Sequence, residues 1–149
     1  MNLNVKLVWI YDDAEIDWNE LAYVYRIAPL GNKNPEDLKT AFSNSMYKCF
    51  VYDGQKIVGA GRALADGVDV SYICDVAIHP EYQGRGLGKK MVEKLVEFSQ
   101  GYNKILLFAS AGKEPFYSKL GFDRMTTAMA IFKNRARVLE MGLIREDTK

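Results

Sequence analysis

The sequence predicts an α/β domain built on a mixed, mostly antiparallel sheet flanked by helices. Three observations predict it. Apolar residues alternate over residues 47–78 and are interrupted by two Asp-Gly turns. Helical apolar spacing precedes and follows that stretch. A glycine-rich turn then joins a strand to the longest helix. At 149 residues the chain has the length of one domain, so residues 1–149 are expected to form a single unit, with residues 134–149 a charged tail or a closing helix. That length also supports a core without staples.

Each element has a local reason. Val5, Leu7, Trp9 and Tyr11 alternate with Lys6, Val8 and Ile10 and suit a first strand, ended by Asp12-Asp13. Asp17 is placed to cap a helix, with Glu20 three residues on in a capping-box pattern. Leu21, Val24, Tyr25 and Ala28 give that helix its apolar face, and Pro29 stops it. Asn34-Pro35-Glu36-Asp37 starts a second helix: a cap residue, a proline at the first helical position, then acids in the first turn. Leu38, Ala41 and Phe42 form its apolar face. Residues 47–52 and 56–65 read as strands joined at Asp53-Gly54, and residues 68–78 form a third strand after Asp66-Gly67. His79-Pro80 ends this meander, since a residue before proline avoids helical angles. Leu87, Met91, Val92, Leu95, Val96 and Phe98 then recur at helical spacing, with charges on the other side, for about four turns. Residues 104–109 read as a buried strand, 113–120 as a short helix stopped by Gly121, and 125–132 as a last strand.

Composition narrows the function. Lys plus Arg total 20 and Asp plus Glu total 19. A duplex binder would carry a basic excess, so no nucleic-acid partner is expected. The longest apolar run is five residues, 105–109, whereas a span needs about 18, so no membrane is expected. The N-terminal residues lack the basic and apolar regions of a secretion signal, which leads to an expected cytoplasmic setting with Cys49 and Cys74 as buried thiols. One histidine, His79, and two distant cysteines make no ligand spacing, so no metal is expected.

The chemistry concentrates in Gln83-Gly84-Arg85-Gly86-Leu87-Gly88-Lys89. Glycines there allow backbone angles closed to other residues and let a ligand come close. The unpaired N–H groups at the start of the following helix favour a phosphate or pyrophosphate, and Arg85, Lys89 and Lys90 add charge. A kinase-type nucleotide loop does not fit, because Gly88-Lys89 is followed by Lys90 rather than Ser or Thr. A dinucleotide fingerprint does not fit either, because the spacing is Gly84-x-Gly86-x-Gly88 after an antiparallel meander.

Gln83-Gly84-Arg85-Gly86-Leu87-Gly88 closely resembles the Gln/Arg-x-x-Gly-x-Gly/Ala acyl-CoA signature of the GCN5-related N-acetyltransferases, the GNAT superfamily. Asp75-Val76-Ala77-Ile78-His79-Pro80-Glu81-Tyr82 resembles that family's strand four, and Phe116-Tyr117-Ser118-Lys119-Leu120-Gly121-Phe122 its closing helix and following strand. The likeness covers about residues 51–132. Leu107-Phe108-Ala109-Ser110 with the Phe-Tyr helix is similar, more narrowly, to arylalkylamine and plant-type serotonin acetyltransferases.

The resemblance implies the GNAT (acyl-CoA N-acyltransferase) fold, with its sheet splayed between strands four and five, and acetyl-CoA as cosubstrate. It implies cofactor contacts from Gln83, Gly84, Arg85, Gly86, Leu87, Gly88 and Lys89 to the pyrophosphate, and from Val76, Ala77 and Ile78 to the pantetheine arm. It counts Ser110 and Tyr117 among the cofactor contacts too, although Ser110 stands where many relatives carry an asparagine that contacts the pantetheine or a water. A main-chain N–H near Val76 is implied as the donor to the thioester oxygen. Tyr117, four residues before Gly121, holds the family's tyrosine position and is the candidate acid for the departing thiolate. Asp75 is the candidate base, or else a charge that anchors a turn or orients an amine. His79 titrates in a useful range, but a surface or turn-capping role is the favoured reading.

The acceptor side is drawn from Trp18, Tyr23, Tyr25, Tyr47, Met125 and Met129, with Asp12, Asp13, Asp66 and Asp69 as anions; the plainer alternative makes Tyr25 and Leu21 core and the aspartates turn residues. The expected activity is N-acetylation of a primary amine on a small molecule by direct attack on the thioester. The alternatives are a peptide or protein N-acetyltransferase and a non-catalytic acyl-CoA-binding module. Many relatives dimerise through a sheet edge or their last strands, so a homodimer is the assembly to look for.

Overall fold

The computed structural model describes residues 6–147. The first strand as read from the sequence begins at Val5, which lies outside the described residues. The chain divides into two compact units, residues 1–107 and 108–149.

The first unit holds a five-stranded sheet in the order β1-β2-β3-β4-β5: β1 (Leu7–Ile10), β2 (Tyr47–Asp53), β3 (Lys56–Ala65), β4 (Val70–Ile78) and β5 (Lys104–Leu106). The first four strands are antiparallel, and β5 runs parallel to β4. The turn after β2 is tight, with Asp53 facing Lys56 and Gly54 at φ 61°. β4 starts two residues later than residue 68 for a physical reason. The Asp66 carboxylate accepts from the N–H groups of Val68, Asp69 and Val70, which holds that segment as a loop.

Three helices belong to this unit: α1 (Trp18–Ile27), α2 (Pro35–Ser43) and α3 (Leu87–Phe98). The Asp17 carboxylate accepts from the Asn19 and Glu20 N–H groups at the head of α1. Glu20 does not close a capping box; it accepts instead from Ile57 N–H at 3.2 Å, tying α1 to β3. Asn34 caps α2 through Glu36 N–H at 2.8 Å. Leu21, Val24 and Tyr25 of α1 and Leu38 and Phe42 of α2 share one core with Phe50, Ile57, Ala60 and Ala77 of the sheet. The opposite face belongs to α3. Gly61, next to Ala60 and therefore on the other side of the pleat, leaves room there: a Cβ on it would lie 3.1 Å from Met91 and 3.3 Å from Leu95. Ser99 at the end of α3 donates to the buried Ser71 hydroxyl at 2.8 Å.

Two irregularities in β4 shape the site. Ala60 faces Ala77 and Arg62 faces Cys74, so Asp75 and Val76 together oppose Gly61 in a β-bulge. Asp75 has φ 55° and is the one non-glycine residue with positive φ among the described residues. β5 pairs only with Val70, Ser71 and Tyr72, so β4 continues from Ile73 to Ile78 without β5 beside it. That is the splay expected between strands four and five.

The second unit carries α4 (Glu114–Ser118) and α5 (Arg135–Glu140). Phe108 meets Phe132 edge-on at 5.8 Å, and Tyr117 meets Phe116 and Phe122 at 5.0 and 6.1 Å. Three expectations need correction. The strand at 104–109 is shorter, ends at Leu106, and is half-buried rather than buried, because only three β4 residues pair with it. Residues 125–132 form no strand: no ladder partner holds them, and Met125, Met129 and Ile131 are exposed. Cys49 is buried, but Cys74 is only partly so.

Candidate active site

The glycine turn is built from both ends. At its start, His79 N–H donates to Val58 O at 2.8 Å, fixing the end of β4 to β3. His79 Nδ1 accepts from Glu81 N–H at 3.1 Å and caps a 3₁₀ turn over Pro80–Tyr82. Burial, aided by the Lys56 charge, holds its imidazole below the usual histidine range, so it stays a neutral acceptor there. Of the surface and turn-capping readings of His79, the turn cap is the geometry found, and the surface reading is corrected because the side chain is buried. Tyr82 donates to the Asp53 carboxylate, and Lys56 and Arg85 lie over its ring at 5.3 and 4.9 Å. Gln83 Nε2 donates to Ile78 O at 2.9 Å, which makes Gln83 a brace that closes the loop.

Within the turn, Gly84 and Gly86 have φ 78° and 81°, and a Cβ on either would meet nothing within 4 Å. Gly86 is the N-cap of α3 and offers no side chain to its first N–H groups. An anion therefore has open access to uncapped amides of a 12-residue helix. Arg85 is anchored by a bond from Nη2 to Glu81 O at 3.1 Å. Lys89 is largely exposed beside Glu93 at 4.0 Å, and Lys90 lies 5.1 Å over the Trp9 ring. Leu87 packs its side chain into the core. Gly88 lies inside the first turn of α3.

Val76, Ala77 and Ile78 lie on the stretch of β4 that runs beyond β5. Both carboxylate oxygens of Asp75 are engaged: Oδ2 by Arg62 Nε at 2.9 Å and Oδ1 by Lys33 Nζ at 3.4 Å. Arg62 also donates to Ser45 Oγ at 3.2 Å. The Tyr25 hydroxyl donates to the Asp75 carbonyl at 2.5 Å. Lys33 and Arg62 were not singled out by the sequence reading. The signal was there for Arg62, a lone charge in the small, apolar run Gly59-Ala60-Gly61-Arg62-Ala63.

Tyr117 and Ser110 belong to the second unit. Tyr117 lies on α4, and burial pushes its phenol above the usual tyrosine range. Ser110 O accepts from Lys113 N–H at 2.9 Å, just before α4.

The aromatic and acidic residues drawn to the acceptor side do not gather. Tyr25 is fully buried in the core, and the half-buried Trp18 packs against that core on Phe42 and Phe50. Tyr47 stacks on Phe98 of α3, on the face opposite α1 and α2. Tyr23 is exposed beside Arg26. Asp12 accepts from Ala14 N–H, Asp13 pairs with Lys48 and Ser43, Asp66 shapes its turn, and Asp69 pairs with Lys104. Met125 and Met129 are exposed. Cys49 and Cys74 are pushed up to about 12 and about 11 by burial, so neither thiol is a ready nucleophile.

An α/β unit with a splayed sheet and an open anion cradle at a helix start defines a class of acyl-CoA-type domains. Residues 45–124, more than half the chain, match the family described as the acetyltransferase (GNAT) domain. The chain belongs to that family. It is 44% identical over 71 residues to GCN5-related N-acetyltransferase 2, chloroplastic, of Arabidopsis thaliana, covering 46% of this chain and 28% of the relative. It is 38% identical over 71 residues to histone acetyltransferase TAP1 of Glycine max, covering 46% and 31%. It is 42% identical over 69 residues to glucosamine 6-phosphate N-acetyltransferase of Trypanosoma brucei brucei, covering 45% and 40%. The match thus spans well under half the length of each of these relatives. Among solved structures, a GNAT family acetyltransferase from Streptococcus pneumoniae TIGR4 superposes with a TM-score of 0.71 at 21% identity, covering 86% of this chain and 99% of that one. None of these carries an arylalkylamine name, and the narrower likeness gains no support from them.

Proposed function

We propose that the chain is an acetyl-CoA-dependent N-acetyltransferase acting on the primary amine of a small molecule. The observation that carries this reading is the turn at residues 84–88, with two left-handed glycines, open space above them and an uncapped helix start. These residues fit a pyrophosphate: amide N–H groups donate to its oxygens, and Arg85 and Lys89 add two cations beside it. The β4 stretch of Val76, Ala77 and Ile78, free of β5, suits pairing with an extended arm laid along it as an added strand.

When bound, acetyl-CoA supplies an activated acetyl thioester. The residues then divide the work. The Val76 N–H donates to the acyl oxygen. The family resemblance assigns Tyr117, whose phenol burial holds above the usual tyrosine range, as the hydrogen-bond donor to the leaving sulfur. Asp75, paired with Arg62 and Lys33, is a charged post that orients the incoming amine or relays its proton through water. A small-molecule acceptor is supported by the similarity to the Trypanosoma relative, which is named for glucosamine 6-phosphate.

The test is a free-thiol assay with acetyl-CoA against one panel of glucosamine 6-phosphate, an arylalkylamine, a polyamine and a lysine-bearing peptide. Release with a small amine is the expected result. Release with the peptide alone would move the reading to a protein acetyltransferase. Saturable acetyl-CoA binding without any release would make the chain a binding module.

A further inference from the structure

We infer that Tyr25 is a positioning residue for acyl transfer: its buried phenol grips the Asp75 carbonyl and so aims and polarises the Val76 N–H toward the acyl oxygen. The inference rests on the acetyl-CoA reading above and assigns a part of that site to a residue in the core of α1.

The first ground is the cost of the hydroxyl. Tyr25 is fully buried among Leu21, Val24, Phe42 and Phe50, where a phenylalanine would need no partner. Its Oη finds one acceptor fifty residues away in sequence, the Asp75 carbonyl at 2.5 Å. The bond does not belong to the sheet ladder. It runs from helix to bulge, at the residue whose φ of 55° a non-glycine side chain disfavours. An uncommon backbone angle held from outside is a feature of functional sites.

The second ground is how thoroughly this one peptide is held. Arg62 and Lys33 fix the Asp75 carboxylate at 2.9 and 3.4 Å. Lys33 also lies 5.3 Å over the Tyr25 ring. Arg62 reaches Ser45, whose hydroxyl donates in turn to Ala41 O of α2 at 2.7 Å. Two helices and β3 thus converge on the Asp75–Val76 link.

The third ground is the geometry of a peptide. The Asp75 carbonyl and the Val76 N–H belong to one planar, trans, conjugated unit, so they point in opposite directions. With the carbonyl turned toward Tyr25 on the α1 face, the N–H is directed away from it. The Val76 side chain lies on the α3 face, 3.2 Å from a Cβ placed on Gly61. A hydrogen bond received at the oxygen draws density from the nitrogen and makes the N–H a stronger donor. A donor fixed in advance is what stabilises charge developing on an acyl oxygen.

The test reads the carbonyl itself. Carbon-13-labelled acetyl-CoA is bound to the whole chain, and its thioester C=O stretch is followed by isotope-edited infrared spectroscopy. Wild type is expected to shift the band to lower frequency than in free acetyl-CoA, and Tyr25→Phe to return it toward the free position. Tyr25→Phe should also lose about three- to tenfold of any preference for acetyl-CoA over CoA, with CoA affinity itself unchanged. A ring-fluorinated tyrosine at position 25 keeps the shape and strengthens the donor, so it should move the band further down; it decides the matter alone if Tyr25→Phe does not fold. An unmoved band in these variants, or no shift in wild type, overturns the role of Tyr25 and leaves the cofactor cradle standing. No acetyl-CoA binding by folded wild type overturns both.

Discussion

Tyr117 and Asp75 separate two ways in which a single residue can serve acyl transfer. The Tyr117 phenol is raised by burial, while a free thiol titrates near about 8.5. Complete proton transfer from such a phenol to a thiolate is uphill, so its contribution is a hydrogen bond that strengthens as charge builds on sulfur. Tyr117→Phe should lower kcat by about 10²-fold while leaving acetyl-CoA affinity unchanged. Because its folded value lies above that of an ordinary tyrosine, ionisation of Tyr117 should add no basic limb to the rate profile below about pH 10. A wild-type kcat with chemistry limiting, or a limb at lower pH that Tyr117→Phe removes, would contradict that role. Asp75 differs because its backbone carries the cost: a left-handed non-glycine residue is disfavoured by roughly 1–2 kcal/mol. The ion pairs to Arg62 and Lys33 and the Tyr25 bond to its carbonyl hold it there. The sequence placed Asp75 on a strand beside the site, but a bulge and its φ arise from long-range pairing, which a residue's own neighbours do not encode.

The element proposed to hold the cofactor is the turn from β4 into α3. Its residue types were legible because each has a local reason: glycines at positive φ and a helix start with free amides. A pair of substitutions isolates ligand access from backbone strain. Gly86 at φ 81° and Gly101 at φ 90° are both left-handed and both open, so alanine at either costs a similar roughly 1–2 kcal/mol of stability. Gly86→Ala should also weaken acetyl-CoA binding by roughly tenfold or more, the worth of a charge-assisted hydrogen bond. Gly101→Ala should bind as wild type does. Equal affinities by calorimetry would remove the turn from the cofactor site. Helix caps at Asp17 and Asn34 and the Asp53-Gly54 turn were legible for the same reason, being local chemistry. The partner of Glu20 was not, since Ile57 is brought to it only by the packing of α1 on β3.

For the molecule, the antiparallel meander β2-β3-β4 at the centre of the sheet follows from period and turn signals over residues 47–78. The last strand at 125–132 failed because alternation reports a side-chain pattern, whereas a strand exists only through a ladder. The acceptor side was the least legible part: aromatic residues chosen by element turned out to lie in the core, on the α3 face or at the surface. The central proposal is that the first unit's glycine turn recognises an acyl-CoA. The direct measurement is a calorimetric titration of the folded chain with acetyl-CoA, repeated with CoA as competitor. Saturable heat that CoA displaces is the predicted result; well-folded protein giving only the heat of dilution would contradict the account.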